Sequence, residues 1–191
     1  EEFSDLPNKF VSGINAALSY ENCEDQSDGT NNKIYLFRDD EYVTIDSSGV
    51  SSITKTRESW GLIANEIAGR GRVDAAFVGL DGYTYLFSGD QYVRYSGDNY
   101  AEVDDGFPRA IAKDWEGLTR VTAALVLENK TYLFGSDGTN NNIYVRYSTV
   151  RVDEDDRLET DKKDPDARNI ETVLANRPDV DEICLLYTSP S

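Results

Sequence analysis

Among the side chains that could perform catalysis or bind metals, this sequence has many carboxylates, few cysteines and no histidine. The 191 residues include 36 Asp and Glu, two Cys and no His. The absence of histidine removes the commonest general base, the commonest transition-metal ligand and the commonest haem ligand. The HExxH zinc motif therefore cannot occur, and neither a GxSxG nucleophile motif nor a phosphate-binding glycine loop is present. We expect no enzymatic activity from this chain, and we do not expect it to bind haem.

The net charge argues against one large class of partners. Asp and Glu outnumber Lys and Arg by 36 to 19, which gives a formal net charge of −17. Because such a charge repels a phosphate backbone, nucleic acid is not an expected partner. The sequence has no run of about 18 apolar residues, so no membrane span is expected. The acidic run 153–156 could attract a small cationic ligand such as a polyamine, although such runs are commonly only solvated surface.

Three short features point less clearly to a function. Cys23 and Cys184 lie far apart in unlike surroundings, so neither a disulfide framework nor a CxxC metal knuckle is predicted. Segment 25–29 resembles part of a calcium loop, but the DxDxDG spacing and the closing Glu are absent, so a solvated turn is the better interpretation. The sequon at 129–131 predicts a glycosylated hairpin turn if the protein is secreted.

The sequence repeats one three-part unit three times. In each copy a segment centred on two small residues is followed by two segments rich in aromatic and β-branched residues. The successive segments are 14–18, 33–37 and 41–45 in the first copy, 73–77, 83–87 and 91–95 in the second, and 121–125, 130–134 and 142–147 in the third.

The middle copy gives the clearest prediction of strands. Turn signals at 80–82 and 88–90 separate its three segments, which predicts two antiparallel hairpins. A period of two places Tyr85 and Phe87 on one face and Leu86 on the other, so both faces of the sheet can be covered. Such a sheet suits stacking between two neighbouring sheets.

A short helix is predicted near the end of each copy. Ile111 and Trp115 are spaced i, i+4 in the second copy, and Ile53 and Trp60 are spaced i, i+7 in the first. The third copy offers the apolar stripe Ile170, Val173 and Leu174, which follows a charged stretch, 152–166, predicted to be a solvated insertion. Two polar insertions, 27–32 and 136–141, are predicted to be exposed loops.

The middle copy resembles a hemopexin repeat, because VDAAF, DGYTYLFSGDQYVRY, GFPRAI and WEGL follow one another in that order. The resemblance implies an all-β fold, the four-bladed hemopexin-like β-propeller, in which each antiparallel blade carries a short rim helix. Three full copies would make this chain an incomplete, three-blade fragment. We expect residues 1–11 to be the tail of a preceding repeat and residues 12–72, 73–120 and 121–179 to be repeats 1 to 3. Residues 180–191 are expected to contain the start of a next repeat and then a tail. That tail matches none of the copies and resembles translated adaptor sequence.

The resemblance also implies a cation, commonly calcium, bound by main-chain carbonyls where the innermost strands begin. Oxygen ligands of this kind suit hard cations rather than zinc. The small residues have an alternative explanation, because strands crowd one another near the axis of a propeller. Mapped onto the repeats, a first ring would comprise Asn15, Asp74, Thr122 and Asp181, and a deeper ring Ala17, Ala76 and Ala124.

We therefore expect a secreted, non-enzymatic binding module that recognises a protein or extracellular-matrix partner and carries a structural calcium ion. One alternative is the substrate-docking domain of a secreted metalloprotease. Another is a storage or small-ligand protein that binds a polyamine or haem. The disulfide that often joins the first and last blades in the family has no convincing counterpart in Cys23 and Cys184.

Overall fold

The computed structural model describes residues 5–20, 33–61, 71–97, 100–128, 130–151, 158–163 and 168–169. In these residues the chain forms three antiparallel β-sheets and three helices of four residues each. No helix in this part of the chain is long and apolar enough to span a membrane. The predicted all-β class is confirmed.

Sheet 1 contains five strands that follow one another in the sequence. Its order is β1-β2-β3, and both β4 and β5 pair with β3. The strands are β1 (Ala16–Tyr20), β2 (Lys33–Arg38), β3 (Glu41–Asp46), β4 (Gly49–Val50) and β5 (Thr54–Lys55). Helix α1 (Asn8–Val11) precedes the sheet and helix α2 (Thr56–Ser59) follows it.

Sheet 2 has the two hairpins that the turn signals predict. Its order is β6-β7-β8-β9, with antiparallel pairing throughout. All five residues of the second strand are buried. The elements are β6 (Ala75–Val78), β7 (Thr84–Ser88), β8 (Gln91–Tyr95), β9 (Arg109–Ala110) and helix α3 (Ile111–Asp114).

Sheet 3 repeats the arrangement of sheet 1: its order is β10-β11-β12, and both β13 and β14 pair with β12. The strands are β10 (Arg120–Leu127), β11 (Lys130–Ser136), β12 (Ile143–Arg151), β13 (Leu158–Lys163) and β14 (Arg168–Asn169). Within the predicted solvated insertion 152–166, residues 158–163 form β13, which pairs with β12 and so extends the sheet. An outermost strand requires main-chain partners but no buried face, so its charged sequence lacks the apolar alternation that would have indicated a strand.

A short outer strand pairs with the third strand of every sheet at the same place. β5 lies opposite Tyr42, β9 opposite Tyr92 and β14 opposite Tyr144. Helices α2 and α3 each begin directly after this outer strand. Their first N–H groups donate to the carbonyls of Asp40 and Asp90, which lie in the preceding hairpin turns. The internal repeat of the sequence is therefore a repeat of main-chain pairing.

The core consists of two apolar clusters, one on each face of sheet 2. Leu86 and Val93 belong to the cluster shared with sheet 1, whereas Tyr85, Phe87 and Tyr92 belong to the cluster shared with sheet 3. The inner strand β6 is in contact with both β1 and β10. Sheet 2 therefore packs between sheets 1 and 3, and the predicted two-sided burial of the middle copy is confirmed.

A tryptophan lies at the centre of each cluster. Trp60 is 1% exposed, and Trp115 is partly buried among the rings of sheet 2. Ile111 is buried beside Trp115, as the helical spacing predicts. The corresponding pairing of Ile53 with Trp60 is wrong, because Ile53 is 42% exposed and precedes α2 in a segment without regular structure. The i, i+7 spacing would have required a helix of two turns, whereas α2 has four residues.

The loop after β8 is fixed by the carboxylate of Asp104. It accepts hydrogen bonds from Arg94 Nε at 2.5 Å and from the Ser96 main-chain N–H at 3.0 Å. The Arg94 guanidinium also lies 4.4 Å from the ring centroid of Tyr83. Burial alone would raise the pKa of Asp104, but the hydrogen bonds from Ser96 and Arg94 hold that pKa below its ordinary value.

Candidate functional site

Two residues assigned to the first ring, Asn15 and Asp74, directly precede the inner strands β1 and β6 and have the same structural role. The Asn15 N–H donates to the carbonyl of Phe37, and its side-chain oxygen accepts from the Asp39 N–H at 2.6 Å. Asp74 repeats this arrangement in sheet 2: its N–H donates to Phe87 and its carboxylate accepts from Gly89 at 3.0 Å. Both side chains therefore fix the start of an inner strand to the following hairpin turn.

Thr122 departs from this pattern. It lies in a register shift between Val121 and Ala123, and its side chain is exposed. Its hydroxyl donates to the carbonyl of Phe134 at 3.3 Å, so it contacts the neighbouring strand and not the hairpin turn. The fourth predicted member, Asp181, lies outside the described residues.

The alanines of the deeper ring occupy equivalent positions on three neighbouring strands. Ala17, Ala76 and Ala124 lie opposite the leucines Leu36, Leu86 and Leu133 in their respective sheets. Ala17 is exposed, Ala124 is half-buried, and Ala76 is buried between its neighbours. Their side chains offer no ligand atom, so any bound cation would have to be held through main-chain carbonyls.

The carboxylate of Asp74 is shared by two arginines that the sequence analysis did not identify. Arg72 Nε lies 2.7 Å from one carboxylate oxygen, and Arg120 Nη2 lies 3.1 Å from the other. The Asp74 side chain is 4% exposed, whereas Arg72 and Arg120 are 47% and 49% exposed. One signal was available in the sequence, since both arginines stand immediately before the valine that opens a small-residue segment.

These contacts limit the cation chemistry of the first ring. The Asp74 side chain is occupied by two guanidinium groups and one main-chain N–H, so it has little capacity left for a metal ion. Within the described residues, no group of three or more His, Cys, Asp and Glu side chains could hold a metal. The deeper ring, which has no cationic side chain of its own, fits a cation better than the first.

A second candidate feature is the exposed loop at 137–142, which joins β11 to β12. The Asp137 carboxylate accepts hydrogen bonds from the N–H groups of Thr139 and Asn140, each at 2.7 Å. The hydrogen bonds from Asn140 and Thr139 lower the pKa of Asp137, so the carboxylate stays charged under ordinary conditions. The insertion predicted to be exposed was 136–141; residues 137–141 are exposed, whereas Ser136 is half-buried and ends β11. The loop is ordered by its own hydrogen bonds.

Several predicted features lie wholly or mainly outside the described residues. They are Cys23, Cys184, segment 25–29, the sequon residue Asn129, the insertion 27–32, the acidic run 153–156 and the apolar stripe 170–174.

Comparison with known proteins supports the repeat interpretation. The family model for Hemopexin matches residues 73–119, which contain all of sheet 2 and helix α3. A comparison with curated protein sequences finds no match.

Similar solved structures include several plant proteins. A seed albumin, LS24 from Lathyrus sativus, has a TM-score of 0.61 and 18% identity, over 88% of this chain and 71% of that chain. A plant albumin from Cicer arietinum showing hemagglutination has a TM-score of 0.62 and 17% identity, over 90% and 72%. The hemopexin fold protein CP4 from cow pea has a TM-score of 0.55 and 19% identity, over 90% and 72%.

A plant lectin from Cicer arietinum with two metal binding sites is also similar, with a TM-score of 0.52 and 21% identity over 83% of this chain and 69% of that chain. At such identities the likeness establishes the fold and not a shared ligand. Together, these comparisons show that residues 73–119 match the Hemopexin family and that the chain shares its fold with a hemopexin fold protein.

Proposed function

We propose that this chain is a binding module that recognises a protein or extracellular-matrix partner outside the cell. The observation that supports this proposal is the loop 137–142, an exposed segment held in a fixed shape at one end of a buried scaffold. Binding sites commonly lie on loops that a rigid framework positions. A loop that is already ordered loses less conformational entropy on binding than a free one.

In this proposal the three sheets are blades of a four-bladed propeller, and they correspond to repeats 12–72, 73–120 and 121–179. Each sheet has an inner strand at its start and a short outer strand at its end, as a propeller blade requires. The binding loop then lies on the third blade.

A carbohydrate is a second candidate partner. It is favoured because one protein of the same fold is described as a lectin and another as showing hemagglutination. The loop offers the side-chain and main-chain polar groups that bind sugar hydroxyls, including those of Asn140 and Asn141.

The test measures binding of the purified chain to an array of extracellular-matrix proteins and to a glycan array. The substitution Asp137→Ala removes the acceptor that orders the loop, and we expect it to weaken binding to the partner by about tenfold or more. The matched control is Asp46→Ala, since Asp46 accepts the Ser48 N–H in an exposed turn of sheet 1. If no array member binds, or if both substitutions weaken binding equally, the proposal is wrong.

We also propose a structural calcium ion, held by main-chain carbonyls of the deeper ring, Ala17, Ala76 and Ala124. The first ring, Asn15, Asp74, Thr122 and Asp181, is less suited to the ion because the side chain of Asp74 is already occupied. Calorimetric titration with calcium tests this proposal, together with the melting temperature in calcium and in a chelator. Heat of binding and a raised melting temperature are expected, and the absence of both would refute it.

A further inference from the structure

At the start of the inner strand β6, two arginines share one buried carboxylate. Arg72 and Arg120 contact opposite oxygens of the Asp74 carboxylate, so this one carboxylate bridges the two guanidinium groups. Two positive charges face one negative charge here, in a chain whose formal net charge is −17. This small group therefore has a charge opposite in sign to that of the whole chain.

Both guanidinium groups keep donors that face solvent. A guanidinium has five N–H donors in a fixed fork. The contacts with Asp74 use the Nε of Arg72 and one Nη of Arg120. Within the described part of the chain, neither side chain makes another hydrogen bond or ion pair. Since both side chains are about half exposed, the remaining donors are accessible to a ligand.

The Asp74 carboxylate fixes these guanidinium groups in place. Its side chain is almost fully buried, and its position is set by the Gly89 N–H as well as by the two arginines. Long cationic side chains normally lose conformational entropy when they bind a ligand, and anchoring them in advance reduces this loss. Asp74 is thus a positioning residue and the arginines are the groups that would touch a ligand.

A third arginine, Arg38, contacts the corresponding segment before the first strand of sheet 1. Arg38 Nη1 donates to Ser12 Oγ at 2.7 Å and to the Gly13 carbonyl at 3.2 Å, just before β1 begins. Gly13 stands in the position that arginine takes in the other two copies. The exposed carboxylate of Asp39, 3.9 Å from Arg38 Nε, offsets this charge, so the binding group proper is the pair on Asp74.

We propose that Arg72 and Arg120 form a binding site for an oxyanion, a carboxylate or phosphate group. Guanidinium groups match the geometry of both anions and form two parallel hydrogen bonds to them. The cation implied by the family resemblance at this first ring would instead be repelled by these arginines. The site adjoins the 137–142 loop, because Arg120 lies opposite Ser136 in sheet 3. The proposal rests on the two arginines and does not depend on the partner of that loop.

The test uses inorganic phosphate and acetate as probes, titrated at constant ionic strength against chloride. Chemical-shift changes of the arginine Nε–Hε signals measure binding to the full chain. We expect saturable shifts of the Arg72 and Arg120 signals, and Arg72→Gln or Arg120→Gln to weaken binding about tenfold. The control is Lys113→Gln, which removes one positive charge from an exposed position on α3.

The outcomes distinguish a phosphate site from a general oxyanion site, and both from the absence of a specific site. Saturation by phosphate alone assigns the site to phosphate groups, and saturation by both probes assigns it to oxyanions in general. Absence of saturable shifts with either probe overturns the proposal, and so does an equal loss of affinity in Lys113→Gln, since only the overall charge would then matter. Asp74→Asn gives a further check, because it removes the carboxylate that holds both guanidinium groups. In a variant that keeps its near-UV circular dichroism, affinity for the anion should fall, whereas an unchanged or increased affinity contradicts the positioning role of Asp74.

Discussion

Replacing Trp60 with alanine should destabilise the protein more than any other single truncation in the cluster between sheets 1 and 2. The indole stacks on Tyr100, with ring centroids 4.2 Å apart, and meets Tyr95 of sheet 2 edge-on at 5.7 Å. On the side of sheet 1 it meets Tyr35 and Phe37 at 5.2 and 5.3 Å. The substitution would therefore leave a cavity bounded by aromatic rings from both sheets.

The expected loss of unfolding free energy follows from the size of the side chain that is removed. Truncation of a buried tryptophan to alanine costs about 3–5 kcal/mol, because transfer free energy and packing are lost together. The total free energy of unfolding of a domain is about 5–15 kcal/mol, so the variant would lose a large share of its stability. With an m-value of about 2 kcal/mol/M, the midpoint of urea unfolding should fall by about 2 M.

Urea unfolding followed by circular dichroism measures this shift, and Ile53→Ala provides the control. Ile53 is a large apolar residue of the same segment, but it is exposed, so its truncation should change the free energy of unfolding by less than about 0.5 kcal/mol. Near-equal effects of the two substitutions would refute the reasoning, as would a Trp60→Ala midpoint close to that of the unmodified chain. Should Trp60→Ala fail to fold, Trp60→Phe must give an intermediate midpoint.

Three further predictions concern backbone packing and pH. Gly135→Ala should cost about 1–3 kcal/mol in urea unfolding, because the added Cβ would overlap the main-chain oxygen of Arg120 at the register shift of sheet 3. Burial raises the pKa of Tyr85 and Tyr95, so their contribution to stability is complete below about pH 10 and is lost as pH rises further. As pH is raised from 9 to 12, the melting temperature should therefore decline at a lower pH than that at which these tyrosines ionise in the folded protein. Absorbance at 295 nm measures the ionisation. The pKa of Asp104 is lowered, so its stabilising contribution is present above about pH 4 and is lost on acidification; Asp104→Asn should lower the melting temperature at pH 7 and flatten its fall below pH 4.

Local sequence patterns predicted the sheets because each strand carries its own signal. The turn signals at 80–82 and 88–90 gave the two hairpins of sheet 2, and the alternation of Tyr85, Leu86 and Phe87 gave its two buried faces. The charged strand β13 could not be predicted in this way. Its charged sequence has no apolar alternation, and its pairing depends on how far β12, the preceding strand, extends.

The candidate anion site, too, could not be predicted from local sequence patterns. The position of Asp74 within its repeat was evident, and the resemblance assigned it to a cation ring. Its partner Arg120 is far away in the sequence and belongs to the next repeat. No spacing rule within one repeat could place its guanidinium on that carboxylate.

The sequence by itself determined the repeated unit, the all-β class and the aromatic composition of the core, because strand pairing and alternation are short-range properties of the chain. Only the tertiary structure decided which side chains meet between repeats. Trp60 lies against Tyr95 of sheet 2, and Arg120 reaches back to Asp74, because adjacent sheets pack face to face with their inner strands side by side. These contacts depend on how neighbouring sheets are placed relative to one another, which is a property of the packed chain and not of any single segment.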